Sequence, residues 1–213
     1  MKILALEFSS ARRGVAIVKG RDVLGLAEAT GKTPGPFELV ESALQMAGME
    51  REQIECVAVG LGPGSYTGVR SSIALAQGWQ FALGVKLLGI SSADVLAATA
   101  QKTGLNGRVA VVVDALRGEF YSATYALSSA DWREVAPLRL LTYEAVEAMA
   151  KCGELLISPD AKCPFAGAKL IMPSAGELGH VASRRDDFVP GERLEPIYLR
   201  ETNFVKAPPP KFY

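Results

Sequence analysis

Histidine is nearly absent from this sequence, since His180 is the single histidine among 213 residues. Zinc sites are usually built from clusters of histidine and cysteine, and serine or cysteine nucleophiles usually need a histidine base. His180 also lies far along the chain from the glycine-rich segment described below. The shortage therefore argues against a zinc enzyme and against a serine or cysteine hydrolase.

Cysteines and long apolar runs are also scarce. Cys56, Cys152 and Cys163 are an odd number at scattered spacings, which gives neither a metal-ligand pattern nor a disulfide framework. No run approaches the ~20 apolar residues of a membrane-spanning helix, and the N-terminal residues lack a secretory signal pattern. We therefore expect a cytoplasmic protein with no metal site and no membrane partner.

The chain has no excess of either charge, because 23 Lys and Arg residues balance 23 Asp and Glu residues. A dedicated nucleic-acid binder normally carries a basic patch or a high pI, so the balance argues against one. A near-neutral surface favours association, which indicates a protein partner.

The order of predicted elements repeats once. Three β-rich runs joined by short glycine-containing turns predict antiparallel strands, and alternating helices and strands follow. In a Rossmann unit a helix follows the first strand, whereas this order is that of a ribonuclease-H-like unit. Two such units in tandem predict an actin-like α/β fold with mixed sheets, divided into subdomains 1–103 and 104–213. A generic mixed α/β protein is the alternative.

Five helices are predicted from apolar spacing and from cap residues. The segment from Val69 to Leu83 has so few long polar residues that we expect it to be buried on most sides. Ser174 and Glu177 form the pattern of a capping box, which predicts a helix to about Arg185. The remaining predicted helices are Phe37–Ala47, one capped by Ser91 or Ser92 that ends near Lys102, and one capped by Thr142 that ends at Lys151.

A glycine loop at residues 60–70 joins an apolar strand to a helix. Its glycines permit positive φ and close approach of an anion or of another chain, and the amides that open the helix suit a phosphate or carboxylate. The loop is neither a P-loop nor a dinucleotide fingerprint. A purely structural strand–helix turn is the other interpretation. The candidate contact residues are Gly62, Pro63, Gly64, Ser65, Tyr66, Thr67, Gly68 and Arg70.

The first strand of each half ends in an acidic residue. Glu7 and Asp114 lie where acids of actin-like ATPases approach a metal and phosphates, and Ser9 and Arg117 lie in the turns that follow. We interpret the four as remnants of a nucleotide site, with polar residues at strand ends as the alternative. The two helices before and after the glycine loop serve either the core or a protein interface. Their interface candidates are Phe37, Val40, Leu44, Ile73, Ala76, Trp79 and Gln80.

Several motifs together resemble one family. They are Lys2–Ser10, Gly62–Arg70, Gly89–Ser92, Asp114–Tyr121 and Pro196–Arg200, and they span almost the whole chain in order. This set is similar to the TsaB (YeaZ) family of bacterial tRNA threonylcarbamoyladenosine synthesis.

The resemblance implies a non-catalytic subunit of actin-like fold, related to the catalytic TsaD subunit. It implies a heterodimer with TsaD through the N-terminal subdomain, a homodimer in its absence, and cooperation with the ATPase TsaE in modifying adenosine 37 of tRNA. No cofactor is expected in this chain, because ATP and Mg²⁺ are used by the partners, and tRNA is expected to be contacted only indirectly.

The chain departs from the family pattern at two places. Glu7-Phe8-Ser9 stands where an Asp-Thr run is usual, and Pro34–Glu38 replaces the usual opening of the first helix. The alternative function is a small actin-like ATPase or sugar-kinase-type enzyme that uses Glu7 and Asp114. The glycoprotease activity once attached to the superfamily would need a metal or a nucleophile–base pair that the sequence lacks.

Overall fold

Two five-stranded mixed sheets form the frame of the computed structural model, which describes residues 1–31 and 33–199. The first sheet has the order β3-β2-β1-β4-β5, with β1 at Lys2–Glu7, β2 at Arg12–Lys19, β3 at Asp22–Thr30, β4 at Cys56–Gly60 and β5 at Lys86–Ile90. The second has the order β10-β9-β6-β7-β8, with β6 at Gly107–Asp114, β7 at Glu119–Leu127, β8 at Trp132–Thr142, β9 at Leu155–Ser158 and β10 at Lys169–Leu170.

Both sheets share one topology. The first strand of each half is central, with an antiparallel hairpin partner on one side and a parallel strand on the other. The parallel strands are buried on both faces and read as continuous apolar runs, as expected where helices cover both sides. This repeated order confirms the predicted actin-like, ribonuclease-H-like α/β fold.

Five α-helices lie in the described residues: α1 (Pro36–Ala47), α2 (Tyr66–Leu83), α3 (Ser92–Lys102), α4 (Tyr143–Lys151) and α5 (Ala175–Ala182). Helices α1 and α2 cover one face of the first sheet. Helix α5 and Val95 of α3 cover its other face, while the alanines of α3 pack on the second sheet. Helix α4 covers the outer face of the second sheet. None of the described helices is both long enough and apolar enough to span a membrane.

The end of the described chain returns to the first sheet. We call residues 186–199 the C-terminal strap. The Val189 amide donates to the Leu87 carbonyl at 3.0 Å, and the Ile197 amide donates to the Leu61 carbonyl at 2.9 Å. Between them Leu194 is buried in the core beneath α2. In sequence, the first sheet precedes residue 103 and the second sheet follows it. Helix α5 and the strap, however, pack on the first sheet, so the division into 1–103 and 104–213 stays a prediction.

The predicted capping box of the last helix is wrong. Ser174 precedes α5, but its side chain makes no cap hydrogen bond, and the helix ends at Ala182 rather than near Arg185. The Glu177 carboxylate lies 3.3 Å from His180 Nδ1 instead of reaching back to the helix start. At α3, Ser91 is the cap, because its Oγ accepts from the Ala93 amide at 3.2 Å.

Arg200, part of the C-terminal motif, and the proline-rich tail Ala207–Pro210 lie outside the described residues.

Candidate functional site

The glycine loop packs against the end of β1. The Ser65 amide donates to the Ser9 carbonyl at 2.7 Å, and Ser65 Oγ accepts from the Gly68 amide at 3.2 Å as the cap of α2. A Cβ on Gly68 would lie 2.0 Å from the Phe8 carbonyl oxygen, so this position needs glycine for the close approach. These contacts support the strand–helix turn. Gly62 and Pro63 are buried, whereas Gly64, Ser65, Tyr66, Thr67 and Arg70 are exposed.

Glu7 is an internal group with a relative exposure of 0 %. Its carboxylate accepts from the Ser9 amide at 2.9 Å and from Ser92 Oγ at 3.1 Å. Ser92 Oγ in turn accepts from the Gly62 amide at 3.2 Å, which connects β1, the glycine loop and α3. A Cβ on Gly60 would lie 2.1 Å from Glu7 Oε2, so glycine makes the space for this carboxyl. Burial raises the pKa of Glu7, and its hydrogen bonds oppose that rise.

Asp114 and Arg117 lie at the turn between β6 and β7. Asp114 Oδ1 accepts from the Leu116 amide at 2.7 Å, and the Asp114 amide donates to Asp160 Oδ2 at 3.2 Å. Leu116 and Arg117 both have left-handed φ angles, 63° and 60°. A cavity of about 260 Å³ lies beside this turn and is lined by Asp114, Asp160 and Ala11. Burial raises the pKa of Asp160, and the neighbouring Asp114 charge adds to the rise.

The structure separates the two acids that the enzyme alternative requires. Asp114 lines the cavity, but Glu7 points into the protein and is not part of the lining. Within residues 1–31 and 33–199, no group of three or more His, Cys, Asp or Glu residues could hold a metal ion. The geometry therefore gives a nucleotide-bound metal no pair of converging carboxylates from Glu7 and Asp114.

Helix α2 is not buried on most sides, contrary to expectation. Its inner face, with Ile73 and Ala76, joins the core, but Ala74, Gly78 and Ala82 repeat every four residues along an exposed stripe. Side chains four apart lie on one helix face. Small residues on an exposed face leave room for a neighbour to approach closely, and they look the same in sequence as buried helix residues.

The stripe forms the floor of a groove between α1 and α2 that we call the helix groove. Its volume is about 670 Å³. Phe37 is 70 % exposed at one wall, and Phe81 is 95 % exposed at the end of α2. Trp79 lines the groove, and its buried indole N–H has no acceptor among the described residues. The groove is lined by Pro36, Phe37, Val40, Glu41, Arg51, Glu52, Ser71, Ala74, Leu75, Gly78, Trp79, Ala82 and Leu83.

The seven interface candidates divide between surface and core. Phe37 and Trp79 line the helix groove, and Val40 lies at its base although nearly all of its surface is buried. Gln80 holds the C-terminal strap through a hydrogen bond, because its Oε1 accepts from the Gly191 amide at 2.8 Å. The core holds Leu44, Ile73 and Ala76. These three lie on the inner helix faces and cannot offer surface to a partner in this conformation.

Comparison with known proteins agrees with this architecture. A family model described as TsaD, tRNA N6-adenosine threonylcarbamoyltransferase, matches residues 37–173. The chain is 24% identical to the tRNA threonylcarbamoyladenosine biosynthesis protein TsaB of Haemophilus influenzae, with 98% of each chain covered. It is 26% identical to TsaB of Escherichia coli, over 99% of this chain and 100% of the relative. The YeaZ structure from Pseudomonas aeruginosa superposes with a TM-score of 0.79 at 27% identity, covering 93% of this chain and 99% of that one.

The chain belongs to the TsaB (YeaZ) family.

Sequence reasoning missed three features of this TsaB-family chain. Apolar spacing places Phe81 in a helix expected to be buried, although its side chain is almost fully exposed. The sequence indicates Ser92 only as a possible helix cap, although its hydroxyl donates a hydrogen bond to Glu7. Tyr198 lies in the C-terminal motif, and its ring stacks on Tyr66 of the glycine loop with centroids 5.8 Å apart. The contacts of Ser92 and Tyr198 join residues distant in sequence, so no local pattern could reveal them.

Proposed function

We propose that this chain is a non-catalytic subunit in tRNA threonylcarbamoyladenosine biosynthesis that docks through the helix groove onto a TsaD-like catalytic subunit. The observation that carries the proposal is the exposed apolar groove beside α2. The names of the curated relatives supply the pathway. A TsaE-like ATPase is the further proposed partner, ATP and Mg²⁺ are used by the partners, and the complex works in the cytoplasm.

The groove has the features of a protein interface. Exposed aromatic side chains anchor interfaces when they enter a partner's pockets, and small residues let helices approach. The walls carry Phe37 and the end of α2 carries Phe81. Burying an aromatic side chain of this kind contributes roughly 1.5–3 kcal/mol.

Self-association is proposed for the chain without its partner. Phe81 follows Gly78 of the groove by three residues, a spacing that places both on one face of α2. A projection and a groove on one face allow two copies to pair about a two-fold axis, in which each copy offers the same patch. A homodimer and the heterodimer would then compete for one surface.

The test compares two alanine-to-glutamate variants. Ala82→Glu places a carboxylate in the groove, and Ala148→Glu places one on the exposed surface of α4. We expect Ala82→Glu to weaken binding to the TsaD-like subunit of the same organism by about 100-fold or more, because burying an unpaired charge costs several kcal/mol. Ala148→Glu should bind as the parent chain does. Size-exclusion chromatography with light scattering measures the complexes, and circular dichroism checks that both variants are folded.

Two results would contradict the proposal. One is equal binding by Ala82→Glu and the parent chain. The other is the absence of any complex even with the TsaE-like ATPase and nucleotide present. Titration of the isolated chain with Mg-ATP addresses the enzyme alternative, which requires tight binding that we do not expect.

A further inference from the structure

Two tyrosines and an arginine meet at the start of α2, beyond the residues that line the helix groove. The rings of Tyr66 and Tyr198 are stacked, with centroids 5.8 Å apart and an angle of 27° between their planes. The Arg70 guanidinium carbon lies 4.8 Å from the centroid of Tyr66, and Arg70 also donates a hydrogen bond to the Tyr66 hydroxyl. We call these three residues the tyrosine–arginine cluster.

The cluster remains open to a ligand. Tyr66 is 59 % exposed and Tyr198 is 48 % exposed, so much of each ring is free. Arg70 forms no ion pair with any carboxylate in the described part of the chain. The strap holds Tyr198 in position, because the preceding Ile197 amide is bonded to the Leu61 carbonyl.

The chemistry of the cluster matches a nucleotide. Unpaired bases stack on aromatic rings and on arginine planes, and a guanidinium pairs with phosphate. Here the rings carry hydroxyl groups, and the one charged member of the cluster is a cation without a carboxylate partner.

The location also suits a second ligand beside the docked partner. Tyr66 begins α2, whereas the residues of α2 that line the groove start at Ser71. Phe81 lies 15 residues beyond Tyr66, which is about 22 Å along a helix. Arg70 lies four residues before Ala74 of the stripe, so a subunit seated on the groove would lie directly beside the cluster.

We propose that the tyrosine–arginine cluster binds an unpaired nucleotide of the tRNA substrate, with its base stacked on the Tyr66–Tyr198 pair and its phosphate bonded to Arg70. The proposal rests on the proposed function. It replaces, for this one surface, the expectation that tRNA is contacted only indirectly. The zero net charge of the chain is compatible with this nucleotide contact. A single local contact of this kind only adds to the binding of tRNA by the larger complex.

The experiment measures binding of the unmodified tRNA to the complex of this chain with its TsaD-like subunit. Tyr198→Ala and Arg70→Gln should each raise the Kd by about tenfold, since loss of a base stack or of a phosphate contact has that size of effect. Arg70→Gln should also lower the slope of log K against log salt concentration by about one. Tyr198→Phe keeps the ring and should lose far less than Tyr198→Ala.

The matched control is Arg133→Gln, which removes an exposed positive charge on β8 and should leave both the affinity and the salt slope unchanged. Size-exclusion chromatography and circular dichroism establish that the variants fold and still bind the partner. Unchanged tRNA affinity and salt slope in Tyr198→Ala and Arg70→Gln would overturn the proposal. Loss of partner binding in these variants would overturn it too, because the cluster would then be a protein contact.

A separate outcome concerns the proposed function alone. If the parent chain forms no complex, the proposed docking fails, and the cluster is tested by photo-cross-linking the isolated chain to the same tRNA. Cross-links at Tyr66 or Tyr198 would support the nucleotide contact, and their absence would refute it.

Discussion

At the scale of single residues, the clearest dependence is between Glu7 and Gly60. The carboxyl of Glu7 occupies space that a side chain on Gly60 would fill. The carboxyl of Glu7 accepts hydrogen bonds from the Ser9 amide and the Ser92 hydroxyl. Neither of these partners is a cation that would stabilise its charge. A buried carboxylate without a counter-ion favours its protonated form. Glu7 therefore acts as a structural connector whose charge costs stability.

The first prediction concerns the pH dependence of stability. Because burial raises the pKa of Glu7 above its ordinary value of 4.5, the folded protein holds this proton more tightly than the unfolded chain. Its contribution is then greatest below pH 4.5 and is lost as the pH rises through the folded-state pKa. Glu7→Gln should remove this decline. Urea unfolding from acid to neutral pH measures it, and the exposed Glu192→Gln serves as control. Parallel profiles for Glu7→Gln and the parent chain would refute the assignment.

At the scale of elements, helix α2 has two different environments along its length. Its first turn is pressed against β1, where Gly68 approaches the Phe8 carbonyl. Further along, Gly78 faces the groove, and a Cβ there would meet no atom within 4 Å. The same residue type is therefore needed for packing at one position and leaves open space at the other.

The second prediction uses this contrast. Gly68→Ala should lower the free energy of unfolding by about 1–3 kcal/mol, because overpacking forces a backbone shift. Gly78→Ala should raise it by roughly 0.5–1 kcal/mol, because alanine is the better helix former in open space. Denaturant midpoints at constant slope measure both changes. Effects of the same sign would show that the contact between α2 and β1 is described wrongly.

At the scale of the whole molecule, a helix of the second half covers an apolar face of the first sheet. Helix α5 and Val95 cover the face of the first sheet formed by Ile3, Ala16 and Leu88. Arg12 of β2 also donates to the Met172 carbonyl at 3.1 Å. A continuous buried face of this kind cannot be left open to water without a loss of about 25 cal/mol for each Å² of apolar area.

The third prediction follows for a fragment of residues 1–103. Without α5 and the strap, this fragment should expose the apolar face and bind the dye ANS, and it should unfold without a sharp transition. Calorimetry and ANS fluorescence measure the two properties, with the full chain as control. A fragment that unfolds cooperatively and binds no dye would instead establish residues 1–103 as an independent domain.

Much of this fold was predictable because strand and helix periods are local properties. The buried strand Cys56–Gly60 and helix α1 follow directly from apolar spacing. The placement of α5 on the first sheet was not predictable, since periodicity shows which helix face is apolar but not which sheet it meets. The burial of Glu7 depends on Gly60, 53 residues away in the sequence, and this contact forms only after the sheet has assembled.

The return of α5 to the first sheet also affects how the chain emerges from the ribosome. Strand β5 ends at Ile90 and α5 begins at Ala175. At synthesis rates of about 5–20 residues per second, the first sheet waits roughly 4–17 s for the helix that covers it. During that interval its apolar face is open to other nascent chains, so we expect newly made protein to depend on chaperone binding until its last helix has been translated.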